Sequence, residues 1–596
     1  MKKIKELMGK FLFPGWMFVL VMVLFYELML YFWANEEYAI ERFLTITLFA
    51  LGFGGALGFL VSLIPNPRWQ KWTAVGLTLL LMVVYLVEYF VTDAYQVFMP
   101  IAMILDGAGG VATDFISDVL TLLVQDFWRI IVFAIPVAVY AFFAHCEKTG
   151  WLIRGTMAGF SVALYLIGFL AVQQLTIDAP RMTYAYEFDS AIRSFGLNMA
   201  ISLDVVNSAS TGEEEPEFVI PTMPPQMDPH KEQTGQEDPT APTEPPIDYD
   251  DNVLDLDFAA LAEQEPHSGI ASIHSYVAAQ TPSSQNKYTG LFKGKNLIFI
   301  TAEAFAAEVI DPELTPTLYR LANKGIKFTD YYQPIWGGST STGEFSMLTG
   351  LVAANGLKSM REGIYQDMFL TIGNQLQDLG YHSAAYHNHL YTYYERHETH
   401  QKMGYETFMG LKNGMEKGVK DQWPESDLEM MDFTVPLYID KQPFSIYYMT
   451  VSGHCRYNKD GNAMSQKNYD VVKDLDCSER IKCYLAANLE LEYAMQSLVS
   501  QLEAAGIADD TVIVLGTDHY PYGLERSTVW GNTENYLTEL YGYEPVTLAQ
   551  RDHSALIIWS GCLEDMNLVV DTPVYSLDVL PTLSNLFGVE FDSRLL

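Results

Sequence analysis

The sequence predicts a chain of two parts, a helical membrane domain of five spans followed by an α/β domain whose mainly parallel sheet is flanked by helices. Three observations predict this fold class. Apolar residues concentrate in the first 175 positions, whereas much of the acidic excess behind the net charge of −37 lies beyond them. An acidic, Pro-rich segment separates the two parts. After it, short β-rich runs alternate with amphipathic helical stretches.

Five runs in the N-terminal part are long and apolar enough to cross a bilayer. They are Leu12 to Trp33, Phe43 to Ile64, Trp72 to Val91, Arg129 to Ala144 and Gly155 to Val172. Basic residues precede the first span and separate the second from the third and the fourth from the fifth. Because cytoplasmic connections are enriched in Lys and Arg, we expect a cytoplasmic N-terminus and an extracellular chain after about residue 176.

Some features of the membrane part allow more than one interpretation. A signal peptide is the alternative for the first run, but the run is too long and four further candidates follow it. Glu27 and Glu88 lie inside apolar spans, where an ionisable group is costly and is either functional or a structural carboxyl that faces the bundle. Residues 97–128 are apolar but interrupted by Asp and Gly, which favours a helix at the outer interface over a sixth span.

Composition also sets the expected domain boundaries. Residues 1–176 form the membrane domain, 177–290 an extracellular linker, and 291–596 the α/β domain. Within the linker, residues 208–252 are rich in Pro, Thr and acid and nearly free of aliphatic clusters, which predicts a disordered tether. Four cysteines in the outer part permit two disulfides, but their spacing is not that of a metal site.

Ionisable residues cluster where apolar strands are predicted to end. The four strand ends carry Glu303 in "NLIFITAE", His387 and His389 in "HSAAYHNH", His454 in "FSIYYMTVSGH", and Asp518 and His519 in "TVIVLGTDH". In open α/β sheets, ligands bind at the carboxyl edge of the strands. Each residue taken singly would more often be structural, but together the four ends outline a site.

The residue types at these ends favour a metal-assisted nucleophile. Glu303, Asp518 and His519 supply oxygen and imidazole ligands suited to a divalent ion such as Mn²⁺, Mg²⁺ or Zn²⁺. Such an ion lowers the pKa of a bound hydroxyl, so that Ser or Thr can become a nucleophile. The stretch "WGGSTSTGEFSML" offers hydroxyls at the start of a predicted helix, whose backbone N–H groups favour an anion such as phosphate. A simple helix cap is the alternative interpretation of this stretch.

Five segments, taken in order, carry a family resemblance: "NLIFITAEAF", "GGSTSTGEF", "YYMTVSGH", "TDHYPYG" and "SLDVLPTLSNLFG". They closely resemble the lipoteichoic acid synthases and related phosphoglycerol transferases, which are membrane members of the alkaline phosphatase and sulfatase superfamily. The resemblance covers most of residues 290–590, and the five-span N-terminal region of that family matches the topology above. It implies a sulfatase-like fold for the outer domain.

The resemblance implies a nucleophile and a metal site. Thr340, in "GGSTSTGEF", is the implied nucleophile, and it joins Glu303, Asp518 and His519 around one metal ion, with Mn²⁺ expected and Mg²⁺ or Zn²⁺ as alternatives. The neighbouring hydroxyls are interpreted as cap or turn groups; they are Ser339, Ser341 and Thr342.

The resemblance also implies four substrate-binding residues. They are His387, Tyr394 and Arg396 in "HNHLYTYYER", and His454 in "SGHCRY". Arg396 offers a planar pair of donors for phosphate oxygens, and the two histidines can donate to phosphate or exchange a proton with an alcohol. The family usually has Trp where Tyr394 stands.

The function implied is the transfer of phosphoglycerol from phosphatidylglycerol to a glycolipid anchor or a growing polyglycerolphosphate chain, as in lipoteichoic acid synthesis for the cell wall. The expected partners are these lipids and the bilayer, with no nucleic acid. A phosphoethanolamine transferase would share the threonine and the membrane anchor. A sulfatase or phosphodiesterase of the same fold is a further alternative, but sulfatases mature Cys or Ser in a C/S-x-P-x-R setting, whereas Thr340 precedes Ser-Thr-Gly-Glu. A non-enzymatic membrane sensor would be expected to lack ligands.

Overall fold

The N-terminal part of the molecule is a bundle of apolar helices. The computed structural model describes residues 13–34, 40–95, 98, 127–144, 149–175, 188–210, 249–335, 340–353, 359–360, 363–527 and 533–595. The bundle helices are α1 (Gly15–Ala34), α2 (Ile40–Ser62), α3 (Pro67–Tyr95), α4 (Phe127–Phe143) and α5 (Trp151–Leu175). Helices α1, α2, α3 and α5 are long and apolar enough to cross a membrane. Helix α4 has 17 residues, fewer than the roughly 20 that a span needs, so the prediction of five spans is confirmed for four.

Glycines on α2 allow the bundle helices to approach closely. A side chain at Gly58 would come within 2.7 Å of the carbonyl oxygen of Trp16 on α1, and one at Gly52 within 2.8 Å of the Tyr165 ring on α5. Helices in lipid gain little from burying apolar surface, so small residues that permit close packing contribute much of their association. This packing explains why α2 contacts both α1 and α5.

Two shorter helices follow the bundle and pack against it, α6 (Phe188–Phe195) and α7 (Leu197–Ser210). The carboxylate of Glu27 on α1 accepts the backbone N–H groups of Leu197 and Asn198 at 3.1 and 2.8 Å. The side-chain amide of Asn198 donates to the same carboxylate at 2.7 Å and contacts Tyr85 OH at 2.7 Å. Glu27 therefore satisfies the first N–H groups of α7, which is a structural role.

The expected tether and interface helix lie mostly outside the described residues. Of residues 97–128, only 98, 127 and 128 are described, and of residues 208–252, those from 211 to 248 are not. The expected linker range also holds α8 (Phe258–Gln264) and α9 (Ser268–Ala279). Asn252, just before α8, accepts the backbone N–H of Ser593 at 3.0 Å, so this segment contacts the C-terminal residues.

The C-terminal part contains an eight-stranded sheet with helices on both faces. Its strands are β1 (Asn296–Ala302), β2 (Ile326–Phe328), β4 (His382–Leu390), β5 (Thr407–Leu411), β6 (Phe444–Met449), β7 (Thr511–Thr517), β11 (Ile557–Trp559) and β12 (Val569–Val570). Their order across the sheet is β12-β2-β11-β7-β1-β6-β4-β5. The sheet is mixed, because β11 runs antiparallel to β2 and β7, whereas the other pairs among the described residues are parallel.

Smaller strands and the flanking helices complete this part. The strands are β3 (Tyr331–Tyr332), β8 (Glu525–Ser527), β9 (Thr533–Asn535), β10 (His553–Ser554) and β13 (Val574–Tyr575). The helices are α10 (Pro316–Lys324), α11 (Thr340–Thr349), α12 (Ile372–Asp378), α13 (Arg396–Lys402), α14 (Asp427–Tyr438), α15 (Ala463–Val472), α16 (Glu479–Ala504), α17 (Tyr536–Tyr541), α18 (Leu548–Asp552) and α19 (Val579–Phe587).

The central strand β1 explains why helices cover both faces. All seven of its residues are buried, and successive side chains of a strand point to opposite faces. Ile298 joins the core under α14 and α16, together with Met430 and Leu498. Phe299 joins the core under α11 and α19, which includes Met347. The carboxyl ends of β1, β7, β6 and β4 consequently meet at one edge, as the sequence predicts.

Candidate active site

Thr340 is the first residue of α11 and faces the strand ends. Its Oγ1 lies 3.3 Å from Glu303 Oε2 and 3.3 Å from His519 Nε2. Close packing of α11 on the strand end makes this approach possible, because a Cβ at Gly343 would overlap the carbonyl oxygen of Asp518. The structure therefore brings Thr340 into contact with the predicted ligand residues.

The neighbouring hydroxyls are placed differently. Thr342 Oγ1 donates to the carbonyl oxygen of Ile335 at 3.2 Å, seven residues earlier in the chain. Ser341 is buried on the same first turn. Ser339 lies outside the described residues.

The three predicted ligand residues form one buried cluster. Glu303 directly follows β1, and Asp518 and His519 directly follow its parallel neighbour β7. One possible ligand atom from each lies within 4.8 Å of the others. His519 Nε2 is 3.4 Å from Glu303 Oε1 and 3.3 Å from Asp518 Oδ2. Within the described ranges, this is the one group of His, Cys, Asp and Glu residues whose geometry could hold a metal ion.

The hydrogen bonds around the cluster fit a metal site. Asp518 Oδ1 accepts the backbone N–H groups of Ala304 and His519 at 2.9 and 2.8 Å, but its buried Oδ2 has no hydrogen bond from any described residue. His519 Nδ1 donates to the carbonyl oxygen of Tyr520 at 2.8 Å. This bond orients the ring so that Nε2 faces the cluster. A carboxylate oxygen without a hydrogen bond and an imidazole nitrogen that faces it are the groups that a divalent cation uses as ligands.

The protonation of the cluster shows the same need for a cation. Burial and then the charge of Glu303 raise the pKa of the Asp518 carboxyl to about 8. Burial acts in the same direction on Glu303, but the charge of His454 and the contact with His519 outweigh it and hold the Glu303 pKa at about 2. Two adjacent buried carboxyls cannot both ionise without a positive charge between them. A bound divalent ion would supply that charge.

Arg396, Glu344 and His387 form a second buried group of polar side chains. Arg396 Nε donates to Glu344 Oε2 at 2.8 Å, and Arg396 Nη1 donates to His387 Nε2 at 3.3 Å. His387 Nδ1 donates to the carbonyl oxygen of Met449 at 3.0 Å, so Nε2 is an acceptor. Burial and then the charge of Arg396 hold the His387 pKa well below its usual range. Arg396 Nη2 has no hydrogen-bond partner among the described residues, so one N–H edge of the guanidinium remains available.

Glu344, the ionic partner of Arg396, is not among the residues that the sequence predicts. Glu344 is fully buried one turn after Thr340, and its Oε1 accepts the hydroxyl of Tyr447 at 2.9 Å and lies 3.2 Å from His400 Nε2. The charge of Arg396 outweighs the effect of burial and keeps the Glu344 pKa below its usual value. An acid inside the apolar run "GEFSML" is the signal that could have revealed this pairing.

Tyr394 and His454 complete the predicted set. The Tyr394 ring lies 4.9 Å from the Arg396 guanidinium carbon, and Tyr394 and Glu395 both have left-handed backbone angles with φ of 55° and 56°. Such strain in residues other than Gly is typical of functional sites. His454 lies in the loop after β6 and contacts the carbonyl oxygen of Cys455. Burial lowers the His454 pKa, but Cys455 and Glu303 outweigh it and raise the value to about 10.

Comparison with known proteins places this geometry in a family. The family model described as "Sulfatase" matches residues 295–589, which include the four strand ends and Thr340. This region is a sulfatase-family domain. This match agrees with the sulfatase-like fold that the motifs predict.

Relatives of the sulfatase-family domain agree with the predicted resemblance. "Lipoteichoic acid synthase 1" of Bacillus subtilis is 24% identical over 341 residues, which cover 54% of this chain and 50% of that protein. "Lipoteichoic acid synthase" of Staphylococcus saprophyticus is 24% identical over 358 residues, 56% of this chain and 51% of that protein. The chain spans about half the length of the curated relatives it matches. The predicted resemblance to lipoteichoic acid synthases is confirmed at this level.

Two solved structures match about half of the chain and nearly all of it, respectively. The lipoteichoic acid synthase LtaP of Listeria monocytogenes matches 54% of this chain and 79% of its own, with a TM-score of 0.45 and 20% identity. The integral membrane lipooligosaccharide phosphoethanolamine transferase A (EptA) of Neisseria meningitidis matches 96% of this chain and 95% of its own, with a TM-score of 0.50 and 12% identity. The second match shows that a membrane helix bundle joined to a sulfatase-like domain is a known fold.

Proposed function

We propose that this protein transfers phosphoglycerol from phosphatidylglycerol to an alcohol on a glycolipid anchor or a growing polyglycerolphosphate chain. The observation that carries the proposal is the contact of Thr340 Oγ1 with both Glu303 and His519, at 3.3 Å each. The similarity of the sulfatase-family domain to lipoteichoic acid synthases supports the choice of substrate. The reaction would take place outside the cell, beside the membrane that contains the donor lipid.

In the first step, Thr340 Oγ1, deprotonated as a bound cation would favour, forms a bond to phosphorus, and the bond from phosphorus to the diacylglycerol oxygen breaks. The product is a glycerophosphoryl-threonine ester. The free N–H edge of Arg396 is suited to a non-bridging phosphate oxygen. His454, whose pKa is raised to about 10, carries the proton that the departing diacylglycerol oxygen takes.

In the second step, the alcohol of the acceptor attacks the same phosphorus and Thr340 leaves. The acceptor proton returns to His454, so the site regains its starting protonation. His387 contributes by accepting from Arg396 and by fixing the orientation of the guanidinium. Glu344 holds the other side of the same group, which couples the position of Arg396 to the helix that carries Thr340.

The residues that would hold the metal are Glu303, Asp518, His519 and the oxygen of Thr340. We propose Mn²⁺, with Mg²⁺ or Zn²⁺ as alternatives, because the ligands are carboxylate, hydroxyl and imidazole groups without a thiolate. When bound, such an ion lowers the pKa of the threonine hydroxyl and stabilises negative charge on the phosphodiester.

The proposal is tested by replacing Thr340 in the full chain. Thr340→Ala in vesicles with labelled phosphatidylglycerol and Mn²⁺ is expected to lose head-group release by at least about a thousandfold, since the nucleophile is gone. Thr342→Ala, which changes a hydroxyl on the same turn, is the matched control and should keep turnover. Undiminished release by the Thr340 variant would refute the nucleophile.

A phosphoethanolamine transferase is the second candidate. It is favoured by the fold similarity to EptA, which extends over 96% of this chain. Both functions would use Thr340 and the same metal site, so the residues of the cluster do not separate them. Analysis of the lipid products from mixed phosphatidylglycerol and phosphatidylethanolamine vesicles distinguishes the two functions.

A further inference from the structure

Three residues extend the site beyond His454, and we call them the Trp423 wall: His389, Trp423 and Glu425. His389 lies on β4, and its Nδ1 is 2.9 Å from Glu425 Oε1. The Trp423 ring lies between two histidines, with centroid distances of 5.1 Å to His389 and 4.8 Å to His454. The wall is thus continuous with a residue of the candidate active site.

Glu425 has an unused acceptor. The residue is 2% exposed, and while Oε1 contacts His389, the buried Oε2 makes no hydrogen bond with any residue that the structure describes. A buried carboxylate oxygen without a donor is costly, whereas a donor on a ligand would satisfy it. The His389 side chain is 18% exposed, so the wall reaches solvent.

The wall adjoins the groups that face phosphate. The His389 and His387 rings are 6.0 Å apart, and His387 contacts Arg396. On the other side, His454 interacts electrostatically with Glu303 of the metal cluster. A phosphate held by Arg396 and the cluster would therefore present its attached alcohol to His389, Trp423 and Glu425.

We propose that the Trp423 wall binds the hydroxyl-bearing part of the transferred head group and selects an uncharged polyol over an ammonium group; this inference rests on the proposed phosphoglycerol transfer. Glu425 Oε2 accepts a polyol hydroxyl, and the indole face of Trp423 packs against polyol carbons. An ammonium group gains less there, because His389 Nδ1 already occupies Glu425 Oε1, and the Arg396 cation contacts His387, whose ring neighbours His389.

The first test removes the negative charge of Glu425, the side chain that accepts the polyol hydroxyl. In the full chain with Mn²⁺, turnover of phosphatidylglycerol is divided by turnover of an aryl methyl phosphodiester, which has no polyol. Glu425→Gln is expected to lower this ratio about tenfold, the effect of one lost hydrogen bond. Trp423→Phe should lower the same ratio, and it provides a second variant if the first folds poorly.

The matched control is Glu492→Gln. Glu492 is also buried, but its two oxygens accept the backbone N–H groups of Thr317 and Leu318 at 2.9 Å each, away from the wall. This variant should leave the ratio unchanged even if it lowers stability.

The second test releases the Glu425 carboxylate from its partner. His389→Gln removes the imidazole that contacts Glu425 Oε1, which frees this carboxylate oxygen for an ammonium group, so phosphatidylethanolamine turnover should rise relative to phosphatidylglycerol turnover. An unchanged ratio of the two lipids in this variant, or an unchanged polyol-to-aryl ratio in the Glu425 and Trp423 variants, overturns the subsite.

Failure of the subsite can be distinguished from failure of the proposed function. If the unmodified chain releases glycerol phosphate but the variants show unaltered ratios, the subsite alone is wrong. If the unmodified chain releases ethanolamine phosphate in place of glycerol phosphate, both the proposed function and the polyol subsite are wrong.

Discussion

Two buried acids, one in each part of the molecule, have opposite surroundings. Glu27 in the membrane bundle accepts three N–H groups, from Leu197 N, Asn198 N and Asn198 Nδ2. Asp518 in the sulfatase-family domain accepts two backbone N–H groups on one oxygen and none from the described residues on the other. The two side chains are about equally buried, with exposed fractions of 2% and 0%.

The difference shows that burial of an acid does not by itself indicate function. Glu27 takes the place of the water molecules that would otherwise bind the first turn of α7, so its carboxylate oxygens accept hydrogen bonds from within the fold. Asp518 has one oxygen without a hydrogen bond from the described residues, beside the carboxylate of Glu303. This arrangement becomes favourable when a cation binds. The predictions below test this distinction, beginning with the largest expected effect.

The largest effect is expected from Asp518→Asn. The variant keeps the shape of the side chain but removes its charge, so Mn²⁺ should no longer stabilise the protein and turnover should fall at least about a hundredfold. At Mn²⁺ concentrations about one hundred times the Kd, the unmodified chain should gain about 2.7 kcal/mol in free energy of unfolding. Calorimetry with Mn²⁺ or chelator measures this gain, and an equal gain in the variant would contradict the metal site.

Gly343→Ala is expected to separate Thr340 from the cluster. A Cβ there would overlap the Asp518 carbonyl oxygen, so α11 must shift, and a displacement near 1 Å can reduce turnover about a hundredfold. Gly159→Ala on α5 is the matched control, because its Cβ would meet no atom within 4 Å. Equal kcat values for the two variants would show that close packing of α11 does not position the nucleophile.

Glu344→Gln tests a buried acid of the sulfatase-family domain whose oxygens already have partners. It leaves the buried Arg396 without its ionic partner, and the free energy of unfolding should fall by about 3 to 5 kcal/mol. Because the folded pKa of Glu344 is lowered, its contribution is complete above the unfolded pKa and is lost as the pH falls through the folded pKa. Acid unfolding measured by circular dichroism should show a weaker loss of stability over this range in the variant than in the unmodified chain. Asp470→Asn, at the exposed pair with Lys473, is the control and should have no measurable effect.

The smallest effect on chemistry is expected from Glu27→Gln. It exchanges one acceptor oxygen for an amide that faces a backbone N–H group, so thermal unfolding in detergent should indicate a loss of about 1 to 3 kcal/mol. The Mn²⁺-dependent gain in stability should stay, since Glu27 has no part in the cluster. Loss of that gain would remove the distinction between the two acids.

Much of the candidate site could be predicted from local sequence. Strand ends are encoded within a few residues, so the sequence predicts Glu303, Asp518 and His519 at one edge, whereas only the family resemblance distinguishes Thr340 from the neighbouring hydroxyls. Four of the spans follow in the same way from length and apolar composition. The fourth predicted run, Arg129 to Ala144, lies in α4 (Phe127–Phe143), whose 17 residues are fewer than a typical span needs.

Pairings between distant segments could not be predicted in this way. Glu344 meets Arg396 and Tyr447, which are 52 and 103 positions away, and Glu27 meets Asn198 at a separation of 171. No local pattern specifies such partners, because they depend on how the sheet and the bundle assemble. For the same reason, the reversed direction of β11 was not apparent from its sequence.

The mass of the Thr340 peptide tests the central claim most directly. The full chain is mixed with phosphatidylglycerol and Mn²⁺, quenched in acid during turnover, and digested for mass spectrometry. The account predicts one glycerophosphoryl group on Thr340 and none in the Asp518→Asn variant. Turnover without an adduct, or an adduct on another residue, would contradict it.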